Sequence, residues 1–280
     1  MIGIGLVRPD LLRTYGDGGN AAVLADRLVR RGIAAEVVPL WAGSDIPSSV
    51  AVLVLGGGED AAQRALLQDT HLLGGVARAA ERDVPVLAVC AALQVLGTGF
   101  EIDGRREAGI GLLDVETDRL ARRAVGETVV VPAPDSGVDL GSSRLTGFEN
   151  HGGFTHRGAG CRPLGRVEVG VGNGDGTDGA VAGRVVATYL HGPVLARNPA
   201  LADQLLRWAV GDLEPLALAV VDELHDERLA VAEAERRFTD QVDRPGGTGA
   251  RQRVAVARAR LGEALSEAKR RRRARGASRG

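Results

Sequence analysis

The stretch Val84-Pro85-Val86-Leu87-Ala88-Val89-Cys90-Ala91-Ala92-Leu93-Gln94-Val95-Leu96-Gly97 reads as a short buried strand that breaks into a helix with a thiol at the corner. Pro85 opens an apolar strand, and the small residues and leucine spacing after Cys90 fit a helix packed on a sheet. A thiol in the first turn of such a helix faces converging backbone N–H groups and the positive end of the helix dipole, which favour thiolate. The N–H of Ala91 is placed to hold the oxyanion of a tetrahedral intermediate. A buried structural cysteine is the alternative reading of the residue taken alone. The strand-turn-helix context is what a nucleophile motif requires.

Outward from this corner, apolar runs and breakers predict strands near 2–7, 34–40, 50–55, 85–89, 112–117, 127–131, 165–171 and 184–190. Helices are expected near 20–31, 60–82, 91–98, 199–210 and 215–237. Strands alternating with helices through the first hundred residues imply an α/β fold, a mostly parallel central sheet flanked by helices. The Gly- and Asp-rich stretch from 99 to 180 is expected to form an antiparallel edge with long loops, and the C-terminus to be helical. The expected organisation is a main domain over 1–212, a helical extension over 213–243, and a flexible linker with a basic tail over 244–280.

Composition narrows the function. With 280 residues and 44% hydrophobic content, the chain has enough apolar sequence for one large α/β core or two smaller ones. No apolar run reaches membrane-spanning length and the N-terminus lacks the pattern of a signal peptide, so a cytoplasmic protein is expected. Two cysteines, Cys90 and Cys161, give neither a disulfide framework nor zinc-ligand spacing. The net charge of −1 hides a split: residues 251–280 hold eleven Lys and Arg against Glu263 and Glu267, which leaves the body acidic. That tail is read mainly as a solvated terminus, with weak contact to an anionic membrane as the alternative and no nucleic acid expected. The sole lysine, Lys269, lies in the tail, so the body has no lysine-bearing phosphate loop. For any ATP-driven step the nucleotide site is therefore expected on another chain.

Three strand ends carry residues suited to chemistry. Strand 50–55 runs into Gly56-Gly57-Gly58-Glu59-Asp60, strand 85–89 delivers Cys90, and strand 184–190 delivers His191-Gly192-Pro193. A glycine loop offering N–H donors, a thiol at an elbow and a histidine at a strand end are the parts of an acyl-transfer site with a Cys-His pair.

At these residues the chain resembles the class I glutamine amidotransferases, in the branch shared with the cobyric acid synthases. The resemblance covers most of residues 1–210: Gly56-Gly57-Gly58-x-Asp60-x-x-Gln63, the Cys90 elbow with Gln94, and Tyr189-Leu190-His191-Gly192-Pro193. Three further segments resemble the GatD-type glutaminase subunits of lipid II isoglutaminyl synthases. These are Tyr15-Gly16-Asp17-x-x-Asn20, Arg122-Arg123-Ala124-Val125-Gly126-Glu127 and Gly147-Phe148-Glu149-Asn150-His151-Gly152-Gly153. The resemblance implies a flavodoxin-like fold and a glutaminase with no cofactor of its own. It also implies a heterodimer with a MurT-like, Mur-ligase-family subunit that holds ATP and magnesium and amidates D-glutamate in the lipid II stem peptide.

By the same resemblance Cys90 is the nucleophile and His191 its base and acid. Gly57 or Gly58 and Ala91 are the oxyanion donors, and Arg123, with Arg122 as competitor, is the ligand of the substrate α-carboxylate. Two departures stand out. The elbow is Cys90-Ala91-Ala92 where the family has Cys-Gly-Gly, and Pro193 sits where many members carry a glutamate two residues after the histidine. The orienting carboxylate is therefore missing from its usual place: it is absent, comes from elsewhere in the chain or comes from the partner, and the expectation is that the partner supplies it. The rival readings are a glutaminase for a cobalamin-precursor amide synthase, a stand-alone γ-glutamyl or peptide hydrolase, and a non-catalytic interaction module.

Overall fold

The computed structural model describes residues 1–242. They run β1 (Ile2–Val7), α1 (Gly19–Val29), β2 (Ala35–Leu40), β3 (Val50–Leu55), α2 (Asp60–Leu67), α3 (Thr70–Glu81), β4 (Val86–Val89) and α4 (Ala91–Leu96). There follow β5 (Gly99–Ile102), β6 (Arg105–Ala108), β7 (Val115–Pro132), β8 (Leu145–Arg157), β9 (Gly165–Val169), β10 (Thr177–Asp178), β11 (Ala180–Ala182) and β12 (Val185–Thr188). Helices α5 (Val194–Arg197), α6 (Pro199–Val210) and α7 (Ala219–Val242) complete the described chain. Met1–Leu216 form one compact unit, and a second begins at Ala217 with α7. The linker and basic tail expected over 244–280 lie outside the described residues. Among the described residues no helix is long and apolar enough to cross a membrane.

The main sheet has the order β11-β12-β4-β3-β1-β2, parallel from β2 through β12 and closed by an antiparallel β11. Its central strands are apolar along their length, because a parallel sheet covered by helices buries both faces. Val52, Leu53, Val54 and Leu55 on β3 and all four residues of β4 are wholly buried. From β2 to β12 this is the 2-1-3-4-5 order of doubly wound sheets, in which a crevice opens at the carboxyl ends of the strands flanking the switch point. That point lies here between β1 and β3.

The region from 99 to 180 departs from expectation. It is a second sheet, β10-β9-β7-β5-β6 with β8 on β7, and only β11 is an antiparallel edge of the main one. The separate strands expected at 112–117 and 127–131 belong to one long β7. Strand β8 is absent from the sequence reading for a physical reason. Its buried face is built of Glu149, His151, Gly153 and Thr155, so the alternation is present in burial but not in hydrophobicity. The single helix expected over 60–82 is two, divided where Asp69 caps α3 by accepting from Leu72 N–H at 3.3 Å.

A buried ion pair ties α1 to α6. Arg27 donates through Nε and Nη2 to the two carboxylate oxygens of Asp203 at 2.7 and 2.6 Å, and Arg31 adds a contact to Asp203 at 2.9 Å. Arg27 is only 3% exposed, so removing its partner strands a desolvated charge. Asp203→Ala is expected to lower unfolding free energy by about 3 kcal/mol, read as a lower urea midpoint with unchanged m-value.

Candidate active site

Four loops at the carboxyl ends of the parallel strands meet over the switch point. The loop after β1 brings Tyr15 and Asp17, the loop after β3 brings Gly56–Gly58, the β4–α4 corner brings Cys90, and the segment after β12 brings His191. Gly58, Cys90, Ala91 and His191 line one pocket, with Gln63, Gln94, Arg123 and Asn150 on its other sides.

Cys90 stands at the elbow the sequence predicts. Its backbone has φ 52° and ψ −102°, a conformation that costs a non-glycine residue about 1–3 kcal/mol and persists only where the surroundings impose it. The surroundings are identifiable: Cys90 N–H donates to Thr188 O at 2.8 Å, which continues the β4–β12 pairing to the corner. The thiol thus leaves the sheet at the start of α4. Ala91, first in that helix, has no intrahelical partner for its N–H.

His191 is fixed from two sides. Its backbone exchanges hydrogen bonds with Phe148 of β8, at 2.9 Å through His191 N–H and 3.1 Å through Phe148 N–H. Its Nδ1 lies 2.8 Å from Asp17 Oδ2, and both side chains are buried. The orienting carboxylate expected from a partner is therefore in this chain, 174 residues away in sequence. Asp17 itself is held by Gly57, whose N–H donates to the same Oδ2 at 2.8 Å. That bond corrects the expectation for Gly57, since its donor is already engaged. Gly58 and Ala91 are the remaining candidate oxyanion donors.

The glycine run is explained by crowding more than by donors. A Cβ on Gly57 would fall 2.6 Å from His191 Cε1 and 3.1 Å from Asp17 Oδ2, and one on Gly56 would fall 2.4 Å from Leu12 O and 2.9 Å from Asp17 Cβ. These close approaches seat the Asp17–His191 pair on bare backbone.

Burial alone would lower the basicity of His191, but the hydrogen bond to Asp17 and the nearness of Cys90 outweigh it, while Nε2 itself has no hydrogen-bond partner among the described residues. The imidazole is raised from its ordinary value of 6.5 to about 10.

Gln63 and Gln94, which line the pocket with Cys90, begin a polar row. Gln63 Nε2 donates to Gln94 Oε1 at 2.7 Å, Gln94 Nε2 donates to the Tyr189 hydroxyl at 3.2 Å, and that hydroxyl meets Thr155 Oγ1 at 2.7 Å. Gly153 leaves room for it, since a Cβ there would lie 2.6 Å from both Gln94 Nε2 and Tyr189 Oη.

Of the two arginines, Arg123 is among the residues that line the pocket and Arg122 is not. The cause is a bulge. Arg119 pairs with Gly153 and Ala124 with His151, so residues 120–123 of β7 stand out opposite Gly152. Bulges beside sites re-aim side chains in this way. Among the other polar residues singled out from the sequence, Asn20 and Glu149 hold backbone. Asn20 Oδ1 accepts from Leu195 N–H at 2.9 Å, and Glu149 accepts from Val171 and Gly172 N–H at 2.8 and 2.9 Å. Cys161 lies apart from the pocket lining, buried, with its thiol pushed up by desolvation.

Similarity to known proteins extends over most of the chain. The model of the CobB/CobQ-like glutamine amidotransferase domain matches residues 3–199. The GatD subunit of the glutamine-hydrolysing lipid II isoglutaminyl synthase of Staphylococcus aureus (strain N315) is 32% identical over 205 residues, covering 71% of this chain and 81% of that protein. A cobyric acid synthase of Deinococcus radiodurans is 33% identical over 206 residues, covering 67% of this chain but 39% of that protein. A crystal structure of a glutamine amidotransferase superposes with a TM-score of 0.52 at 19% identity, over 74% of this chain and 98% of the other. That likeness supports the fold.

The Asp17 contact can be tested without any turnover. Asp17 Oδ1 is buried without a hydrogen-bond partner while Oδ2 takes both donors, so an asparagine can present its oxygen to His191 and Gly57 and remove the charge, with its NH2 taking the unpartnered place of Oδ1. Imidazole NMR shifts are expected to follow His191 titrating near 10 in the native protein and at lower pH in Asp17→Asn. Because the folded value is the raised one, the associated stability is fully present below 6.5 and lost as pH rises through about 10.

Proposed function

The chain belongs to the CobB/CobQ-like glutamine amidotransferase family, and we propose that it is a glutaminase subunit that passes ammonia to a MurT-like, ATP-dependent ligase. In this reading the acceptor is the α-carboxylate of D-glutamate in the lipid II stem peptide, and ATP and magnesium reside on the partner. The observation that carries the catalytic half is the placement of Cys90 and His191 on one pocket with His191 Nδ1 held by the buried Asp17. The similarity to the GatD subunit over most of both chains supports the biosynthetic half.

The residues act as follows. The Cys90 thiolate attacks the side-chain carboxamide carbon of glutamine, and the carbonyl oxygen gathers charge facing the N–H groups of Gly58 and Ala91. Collapse of the tetrahedral intermediate breaks the C–N bond. His191, carrying the proton that Asp17 stabilises, delivers it to the leaving nitrogen, and ammonia departs. Water then attacks the γ-glutamyl thioester, with His191 taking its proton, and glutamate and free Cys90 result. Arg123 binds the α-carboxylate, since a guanidinium fork matches a carboxylate.

Ammonia released into neutral water is protonated and no longer nucleophilic, which is the chemical reason for a tight complex with the ligase. A reading as a subunit for a cobalamin-precursor amide synthase has less support, because the chain spans 39% of the cobyric acid synthase it resembles.

Glutamate release from glutamine by the purified chain is expected to be measurable without a partner, because the orienting carboxylate is its own. Cys90→Ala should reduce it to background, and Asp17→Asn should lower kcat on the order of 10²-fold. Amidation of lipid II by glutamine should require the ligase subunit and ATP. Glutamate release that survives Cys90→Ala would overturn the nucleophile assignment.

A further inference from the structure

The mechanism above leaves Tyr15 and Asn150 unused, yet the side-chain amide of Asn150 meets Arg123 directly and, through Tyr15, connects to His191, two groups that the mechanism does use. Arg123 donates through Nε to Asn150 Oδ1 at 2.5 Å and through Nη2 to the Asn150 backbone carbonyl at 3.1 Å. At the other end of the same amide, Nδ2 donates to the Tyr15 hydroxyl. The Tyr15 ring stands edge-on to the His191 imidazole, with centroids 5.0 Å apart and planes at 69°. All four side chains line the pocket with Cys90.

The chemistry of the donors fixes this arrangement. A guanidinium only donates, so the amide oxygen must face Arg123 and the amide nitrogen must face Tyr15. Two carbonyls of one residue take the Nε–Nη2 edge of Arg123, which leaves the Nη1–Nη2 edge as the fork for a carboxylate. No carboxylate of the described residues forms an ion pair with Arg123, whereas Arg119, also on the pocket wall, is paired with Asp60 at 2.8 Å. Tyr15 is meanwhile held at φ 57°, a left-handed conformation uncommon for an aromatic residue, in the loop that carries Asp17.

We propose that Asn150 is a positioning residue that aligns the substrate-carboxylate fork of Arg123 and, through Tyr15, seats the catalytic imidazole of His191. The proposal rests on reading Arg123 as the α-carboxylate ligand. A residue with both duties acts on binding and chemistry together, while each neighbour acts on one. Removing Arg123 weakens binding of substrates that carry an α-carboxylate. Removing the Tyr15 hydroxyl loosens the ring against His191 and slows chemistry at Cys90.

Two alkylating agents separate these effects in the full-length chain. A chloromethyl ketone analogue of glutamine carries the α-carboxylate and loses chloride as the Cys90 S–C bond forms, and its saturation gives KI and kinact. Iodoacetamide reacts at the same sulfur but has no carboxylate. Asn150→Ala is expected to raise KI about tenfold and to lower kinact several-fold. Arg123→Ala should raise KI alone. Tyr15→Phe should lower kinact alone, and should add nothing further to kinact in the Asn150→Ala background. Iodoacetamide rates should fall with kinact in Asn150→Ala and Tyr15→Phe and stay unchanged in Arg123→Ala.

If Arg123→Ala raises KI while Asn150→Ala leaves both constants unchanged, the positioning role is wrong and the carboxylate reading stands. If Arg123→Ala leaves KI unchanged, the carboxylate reading fails and the proposal fails with it. Equal loss of reactive sites in Asn150→Ala, with native KI and kinact in the remainder, would mean a structural role only and would also overturn it.

Discussion

The hydrogen bond between Asp17 and His191 is the contact on which the rest of the site depends. It joins the loop after the first strand to the segment after the last strand of the sheet, so it forms only when the parallel order around β1, β3, β4 and β12 is complete. Several sequence features follow from it. Gly56 and Gly57 are bare because the pair rests on them, and Gly57 N–H is committed to the carboxylate. The imidazole keeps its proton because a buried carboxylate faces its Nδ1. Asn20, three residues after Asp17, anchors the start of α1 to Leu195, just beyond His191, so both ends of the contact are tied to the same helices.

The second sheet supplies what the main sheet cannot. A doubly wound sheet offers strand ends and loops, but its crevice is open on one side. Strand β8 closes that side by pairing its backbone with His191, and the bulge in β7 turns Arg123 toward the opening. The buried face of β8 is polar and places Gly153 where the row Gln63, Gln94, Tyr189 can pass. The same short segment therefore acts in three ways: backbone support for the histidine, clearance for the polar row, and an amide between Arg123 and Tyr15.

Much of the parallel sheet was legible in the sequence because its strands are apolar on both faces and its helices follow at regular intervals. The elbow at Cys90 and the strand-end position of His191 were legible for the same reason, since each is a chemically distinctive residue at the end of an apolar run. Strand β8 was not, because Glu149, His151 and Thr155 occupy buried positions where a periodicity argument looks for aliphatic residues. Asp17 was visible as part of a motif but not as the partner of His191. Two loops meet only through strand order, and nothing local at Tyr15-Gly16-Asp17 states that β1 lies beside β3. The acceptor of the Gly57 N–H was illegible for a related reason: a glycine run announces close approach without saying which group approaches.

The central claim is that Cys90, activated by a His191 that Asp17 holds, forms a covalent acyl intermediate with glutamine. Acid-quenched mass spectrometry of the chain during turnover of glutamine tests this most directly. The account predicts a γ-glutamyl adduct confined to the peptide containing Cys90, sensitive to hydroxylamine as a thioester is, and absent in Cys90→Ala. An adduct on the Cys161 peptide, or steady glutamate release in which sensitive rapid-quench sampling finds no acyl-enzyme at any time, would contradict it.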